Sequence, residues 1–309
     1  MPVRSFLSIR DISAGEWDGL FELTRRVKSN PSTFASSLAG KSLAMIFQKS
    51  STRTRVSFEV GMYQLGGRAL FLSGSDLQLG RGETIADTAQ VLSRYVDGIM
   101  VRTFAQGDVE ELAEFGSIPV INGLTDLLHP CQAVADFFTL SEVFGDLKGR
   151  KLAYIGDGNN VVHSLLLGAP KAGMNIAVAT PEGFEPDPRI LEEARQDAEK
   201  VGVQIEMTHD PATAAMNASA LYTDVWTSMG QEDDAERRKA ALAGYRVDTA
   251  LMSKARPEAV FLHCLPCHRG EEVSADVADG SQSRIFDEAE NRLHIQKAIL
   301  LWLMGGEPL

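Results

Sequence analysis

Cysteine is scarce in this chain: Cys131, Cys264 and Cys267 are the whole complement among 309 residues. Three thiols are too few for a disulfide framework in a protein of this size. Long apolar runs are missing too, and none approaches the roughly 20 residues that a membrane span requires. The opening MPVRSFLSIRDIS lacks the apolar core of a secretory signal. A soluble, cytoplasmic protein is expected, and a cleaved organellar presequence is compatible with the same sequence. Positive charge is in deficit, with 30 lysines and arginines against 42 acids and a net charge of −12. That balance excludes a general nucleic-acid or anionic-membrane surface, since both want an excess of cations. No segment is of low complexity or repeats at a fixed period.

What is present is an alternation. Apolar runs of strand length, SLAMIF (42–47), RALFL (68–72), GIMVR (98–102) and IPVIN (118–122), are separated by amphipathic stretches. In GETIADTAQVLSRY, Ile85, Thr88, Ala89, Leu92 and Tyr95 keep one helical face. The second half repeats the rhythm with KLAYIGDG, NIAVAT, VQIEM, ASALYTDV and AVFLHCLP. Strands alternating with helices predict an α/β protein of parallel sheets flanked by helices. The 44% hydrophobic content can fill one large core or two medium ones, and the length favours two domains. The polar break EVFGDLKGRK (142–151) divides them at 1–146 and 147–285. The last amphipathic stretch, helix 286–304, returns to the first domain.

Arginines gather where the alternation predicts strand ends, and in open α/β sheets ligands bind outside the carboxyl ends of the strands. After SLAMIF comes KSSTRTRVSFE, and STRTRVSFEVGMYQLGG follows with helical spacing at Val56, Val60, Tyr63 and Gln64. A helix therefore begins amid Ser51, Thr52, Arg53 and Thr54. Unpaired backbone N–H groups, hydroxyls and a guanidinium there suit a phosphate. Simple Ser/Thr capping is the plainer alternative, but it leaves Arg53 and Arg55 at the helix end where the macrodipole disfavours cations. The stretch is not a P-loop, since the glycines and the GK[ST] ending are absent.

Three more strand ends add polar groups. VRTF ends a strand in Arg102, LLHPCQ sets His129 and Gln132 around Pro130, and YTDVWTSMGQE carries Asp224 before Ser228 and Met229. Each has a bland reading: a solvated strand end, a helix cap, an acidic first turn. IGDGNNVV resembles a dinucleotide turn but has Val161 where the third glycine belongs, which is weak support for a nicotinamide cofactor. FLHCLPCHRGEEV presents Cys264-x-x-Cys267 beside His263 and His268, yet no second half-site with paired spacing completes a zinc set.

Taken in order, STRTR, QLGRGE, VRTF, HPCQ, GDGNN, DVWTSMGQE, HCLPCHRGEEV and EAENR resemble the aspartate/ornithine carbamoyltransferase family over nearly the whole chain. SMG and HCLP point to its ornithine branch. The resemblance implies a first domain for carbamoyl phosphate and a second for L-ornithine, with no cofactor and no metal. Ser51, Thr52, Arg53 and Thr54 would hold the phosphate, with Arg102, His129 and Gln132 reaching carbonyl or phosphate oxygens. Asn160, Asp224, Ser228 and Met229 would take the amino-acid end of ornithine. Cys264 and Leu265 would lie near the reacting amine, and Arg292 near the carbamoyl group. Arg102, His129, Cys264 and Arg292 are the expected catalytic set. The family's homotrimer shares active sites between subunits, so Gln78 would reach into a neighbour's site. Putrescine or an acylated ornithine is the alternative acceptor, and an NAD-dependent oxidoreductase the alternative class. One departure stands out: the family commonly has a small non-thiol residue where this chain has Cys267, which makes Cys264 and Cys267 a candidate redox pair.

Overall fold

Two parallel sheets organise the chain in a computed structural model that describes residues 3–74, 82–227 and 232–309. The first contains β1 (Ser42–Phe47), β2 (Arg68–Ser73), β3 (Gly98–Arg102) and β4 (Val120–Leu124), in the order β2-β1-β3-β4. The second contains β5 (Lys151–Ile155), β6 (Asn175–Ala179), β7 (Ile205–Thr208), β8 (Ala220–Tyr222) and β9 (Val260–Leu262), in the order β7-β6-β5-β8-β9. All neighbours pair in parallel. The helices are α1 (Ala14–Ser29), α2 (Thr52–Gln64), α3 (Ile85–Leu92), α4 (Gln106–Phe115), α5 (Pro130–Phe144) and α6 (Asn160–Ala172). They continue with α7 (Pro188–Val201), α8 (Pro211–Ala215), α9 (Ala235–Leu242), α10 (Thr249–Met252), α11 (Ala275–Ala278) and α12 (Ile285–Leu300). The α/β class expected from the alternation is the class observed.

The chain divides into two compact units, residues 1–134 with 291–309, and residues 135–290. The division falls inside α5 and α12, so each of these helices contributes residues to both units. The end of α12 belongs to the first unit, where a Cβ on Gly61 of α2 would come within 3.3 Å of Lys297. In the first unit Ala44, Ile46, Ile99, Val101 and Val120 pack with Ala89, Val109 and Leu112 from α3 and α4. In the second, Ala153, Ile155, Ala177, Leu221 and Phe261 form the sheet side of the core. Among the described residues no helix is long and apolar enough to cross a membrane.

Both strand orders reverse direction once. The first sheet turns between β1 and β3, whose last residues, Phe47 and Arg102, lie opposite each other. The second turns between β5 and β8, with β9 beyond. Crevices at the carboxyl ends of such switch points are where open α/β sheets bind ligands.

Three details differ from the periodicity. β4 begins at Val120 rather than at Ile118 and extends to Leu124, because Pro119 has no N–H to give a ladder and Phe6 bridges at Ile121. The outward face of α2, not the buried one, carries Val56 (51% exposed) and Tyr63 (80%), while Thr54, Phe58, Gly61 and Met62 point inward. Tyr95 lies beyond the end of α3 and is exposed as well.

Candidate active site

In the first unit, Ser51 caps α2: its Oγ accepts the Thr54 N–H at 3.2 Å, and its hydroxyl lies 3.1 Å from Thr54 Oγ1. Thr54 is fully buried, and its Oγ1 also accepts from Arg292 Nη2 at 2.8 Å. The helix start is thus tied to the far end of the chain by a buried, charge-assisted hydrogen bond. Arg102 ends β3, and its carbonyl accepts the Gln48 N–H at 2.9 Å, which holds the loop after β1 against the neighbouring strand. His129 precedes α5 and its carbonyl accepts from the Gln132 N–H at 3.2 Å; both residues are buried.

Burial holds the His129 imidazole well below its ordinary pKa, and the cations Arg292, Arg102 and Arg53 push in the same direction. Those three influences bring Arg53, Arg102, His129 and Arg292 into one electrostatic neighbourhood. A neutral imidazole amid guanidinium groups suits an oxygen that gains negative charge. Lys49, the first residue of KSSTRTRVSFE, is buried, ion-paired with Asp126 and set 4.5 Å over the Phe104 ring. Cys131 is structural: its thiol donates to the Asn122 carbonyl at 3.4 Å, and burial pushes it up to about 12.

In the second unit, Asp224 follows β8 and collects donors. Its Oδ1 accepts from the Cys264 thiol at 3.0 Å and the Val225 N–H at 2.8 Å; its Oδ2 accepts from Asn159 Nδ2 at 2.7 Å. Asn159, which the motifs do not assign to the site, makes that contact, and its Oδ1 caps α6 by accepting from Val161 and Val162. Asn160 begins α6 one residue further on. Burial and then Asp224 raise the Cys264 pKa well above the ordinary thiol value, so the sulfur keeps its proton. Cys267 is raised as well, chiefly by burial, and none of the three cysteines forms a disulfide. Both residues of the candidate redox pair are therefore held as thiols, the less reactive form.

Leu265 sits in the left-handed region at φ +58°, where a non-glycine residue stores strain. Its N–H donates to His263 Nδ1 at 2.9 Å, so the imidazole proton lies on Nε2 and points at Glu272 Oε1, 3.2 Å away. His263 and Glu272 are both fully buried. The motifs identify neither residue as a support for Leu265, because the pairing spans nine positions within an irregular loop.

Asp224, His263 and Cys264, like His268, Glu271 and Glu272, each bring three potential ligand atoms within 4.8 Å of one another. In the first trio the thiol donates to the carboxylate and the ring nitrogens are engaged. In the second, Glu271 pairs with Lys239 at 2.8 Å and Glu272 accepts the His268 N–H. Hydrogen bonding within the protein accounts for both groups. The GDG glycines have a packing reason: a Cβ at Gly158 would come 2.3 Å from the Glu185 carbonyl carbon. No dinucleotide is needed to explain them. Gln78, Ser228 and Met229 lie outside the described residues.

Guanidinium groups around a buried imidazole at the carboxyl ends of one sheet, and a carboxylate–thiol pair at those of the other, mark a two-unit α/β protein. The family model described as aspartate/ornithine carbamoyltransferase, carbamoyl-P binding domain, matches residues 4–142. The Asp/Orn binding domain of the same family matches residues 148–303. An ornithine carbamoyltransferase of Oceanobacillus iheyensis is 55% identical over 98% of this chain and 94% of its own length. One from Symbiobacterium thermophilum is 56% identical over 98% of both chains. The solved structure of ornithine carbamoyltransferase from Pyrococcus furiosus superposes with a TM-score of 0.95 at 52% identity, covering 99% of this chain and 98% of that one. The chain belongs to the aspartate/ornithine carbamoyltransferase family.

Proposed function

We propose that the protein transfers the carbamoyl group of carbamoyl phosphate to the δ-amine of L-ornithine, giving L-citrulline and phosphate. The observation that carries this reading is the buried Arg292–Thr54–Ser51 connection at the start of α2 beside a neutral His129. In the second unit, the Asp224–Cys264 pair supplies the complement for an amino acid's ammonium group.

The uncharged δ-amine attacks the carbamoyl carbon, a tetrahedral intermediate forms, and the C–O bond to phosphate breaks. The proton lost by the amine goes to the departing phosphate, so the atoms balance without a protein nucleophile. Thr54, Arg102 and His129 donate to the carbonyl oxygen as it gains charge. Residues Ser51 to Thr54, with Arg53, receive the phosphate at a helix N-terminus. Gln132 and Arg292 orient the carbamoyl group. Asn160, Asp224, Ser228 and Met229 hold the amino-acid end. Cys264 and the Leu265 backbone line the path of the amine, whose burial favours its uncharged form.

In this reading residues 1–146 are the carbamoyl phosphate domain, 147–285 the ornithine domain, and 286–304 the returning helix. The enzyme is a cytoplasmic homotrimer of arginine biosynthesis, with Gln78 entering a neighbour's site. Exposed Val56, Tyr63, Leu70 and Phe71 on α2 and β2 support an assembly, because apolar groups clustered on a surface mark interaction sites. Citrulline formation from carbamoyl phosphate and ornithine, with putrescine and acetylornithine as competing acceptors, tests the whole reading. Preferential carbamoylation of putrescine or acetylornithine would replace the acceptor, and no transfer to any amine would overturn the function.

A further inference from the structure

Two acids in the second unit have no part in that reaction. Asp136 on α5 and Glu288 on α12 are both fully buried. The Glu288 carboxyl joins several groups. Its Oε2 accepts the His263 N–H at 2.9 Å, its Oε1 accepts the Tyr222 O–H at 3.3 Å, and it is hydrogen-bonded to the Asp136 side chain. Tyr222 stacks on Tyr154 with ring centroids 5.9 Å apart. The Tyr154 hydroxyl reaches Asn159 Oδ1 at 3.3 Å, and Asn159 in turn holds Asp224. The network therefore underlies both strand ends, β8 and β9, that present the amine-side residues.

Two desolvated carboxyls in hydrogen-bond contact cannot both ionise, so at least one proton stays between them and they titrate as a unit. Burial and Asp136 hold the Glu288 proton on, against the opposing pull of the His263 N–H and the Tyr222 hydroxyl. The same two acids stand, after burial and Asp224, among the groups that keep Cys264 protonated.

We propose that the Asp136–Glu288 pair, sharing a single proton, positions the His263 backbone and thereby the Cys264–Leu265 segment that meets the acceptor amine. The role is structural support for the site; neither acid touches a reacting atom. The proposal rests on the reading of this half-site as the amine end, and its two tests separate the failure of one from the failure of the other.

The first test compares Glu288→Gln with Glu288→Leu. Glutamine keeps an acceptor for the His263 N–H and offers its amide hydrogens to Asp136. Leucine keeps the bulk and removes the acceptor, leaving a buried N–H unpaired, which corresponds to a roughly tenfold or greater penalty. The expected result is an ornithine KM raised about tenfold in Glu288→Leu and restored by Glu288→Gln, with the dissociation constant for carbamoyl phosphate unchanged. Equal KM values in the two variants would overturn the positioning role. A wild-type protein that makes no citrulline would instead sink the functional reading.

The second test needs no turnover. In a Cys267→Ala background, carboxamidomethylation of Cys264 by iodoacetamide is followed against pH by peptide mass spectrometry. Glu288→Gln leaves the pair's one charge on Asp136, and the rate stays at the wild-type level. Asp136→Asn with Glu288→Gln removes that charge, so the thiolate forms at lower pH. At a fixed pH below the thiol's titration, the double variant should react several-fold faster, because the rate follows the thiolate fraction. A wild-type rate in the double variant would show that the pair carries no charge to share. Because both substitutions are isosteric, this arm still tests the shared proton where Glu288→Leu fails to fold.

Discussion

Arg292 offers the sharpest test of the carbamoyl phosphate half-site. Its side chain is 3% exposed, and Nη2 donates to Thr54 Oγ1 at 2.8 Å. It is also, after burial, the leading influence keeping His129 uncharged. Arg292→Met preserves length and apolar stem while removing the guanidinium. Thr54 keeps its link to Ser51, so the start of α2 has a remaining anchor. A hydrogen bond from a charged donor contributes about 1.5–3 kcal/mol, which converts to roughly 10- to 150-fold weaker binding of carbamoyl phosphate. Removing one of three nearby cations should also let the His129 pKa rise. Calorimetry with carbamoyl phosphate gives the first quantity, and NMR titration of the imidazole gives the second. Arg292→Lys should fall between, since an ammonium restores charge without the planar fork. Affinity within about threefold of wild type, together with an unmoved His129 titration, would show that Arg292 merely packs the helix and would refute the electrostatic account.

At the other half-site, Asp224→Ala removes the acceptor of the Cys264, Val225 and Asn159 donors. The ornithine KM should rise about tenfold or more, and an unchanged KM in steady-state assays would count against the ammonium role. Gly158→Ala drives a methyl to 2.3 Å from the Glu185 carbonyl carbon and 2.4 Å from the Pro186 nitrogen. Backbone must move, at a cost of about 1–3 kcal/mol, and thermal denaturation should show a lower midpoint; an equal midpoint would remove the packing explanation of the GDG turn. His129 makes a pH prediction. Its folded pKa is depressed, so the unfolded chain binds the proton more readily and folding favours the neutral ring. That stability is present above the unfolded value of about 6.5 and is lost as pH falls toward the folded one. Urea midpoints should decline below neutral pH more steeply in wild type than in His129→Gln, and parallel curves would refute the assignment.

Much of the fold is legible because parallel sheets bury whole strands. SLAMIF and GIMVR read as strands with the limits that β1 and β3 take, since every residue but the ends meets a core. Their carboxyl ends then locate Arg102 and the Ser51–Thr54 turn at the switch point. The buried face of α2 escapes the periodicity because the helix is apolar on two sides. Gly61 lets α12 approach the inner side, while Val56 and Tyr63 point away from it. Periodicity reports that a face is apolar, not which partner covers it. Asn159 and Asn160 are chemically the same residue, and only the α6 cap decides which side chain turns to Asp224. Asp136 leaves no local trace, and the motifs that contain His263, Glu272 and Glu288 do not reveal their partners, because a buried polar group gains its meaning from neighbours far along the chain.

Each half-site keeps one titratable group uncharged, and by the same cause. His129 would become a further cation beside Arg53, Arg102 and Arg292, so burial and those charges strip its proton. Cys264 would become a second anion against Asp224, so burial and that carboxylate retain its proton. In both places the result is a neutral hydrogen-bond donor aimed by its surroundings: a ring N–H for an oxygen gaining charge, and a thiol already committed to the carboxylate that would hold an ammonium. Carbamoyl phosphate carries its own leaving group, so transfer to an amine asks for no ionised thiol and no imidazolium. What it does ask for is removal of a proton from an amine whose ordinary pKa is about 10. Desolvation in a site whose imidazole and thiol stay neutral weakens that ammonium without installing a competing base. The burial that fixes the two protonation states is therefore part of the proposed chemistry, and the acids beneath Cys264 belong to the same arrangement.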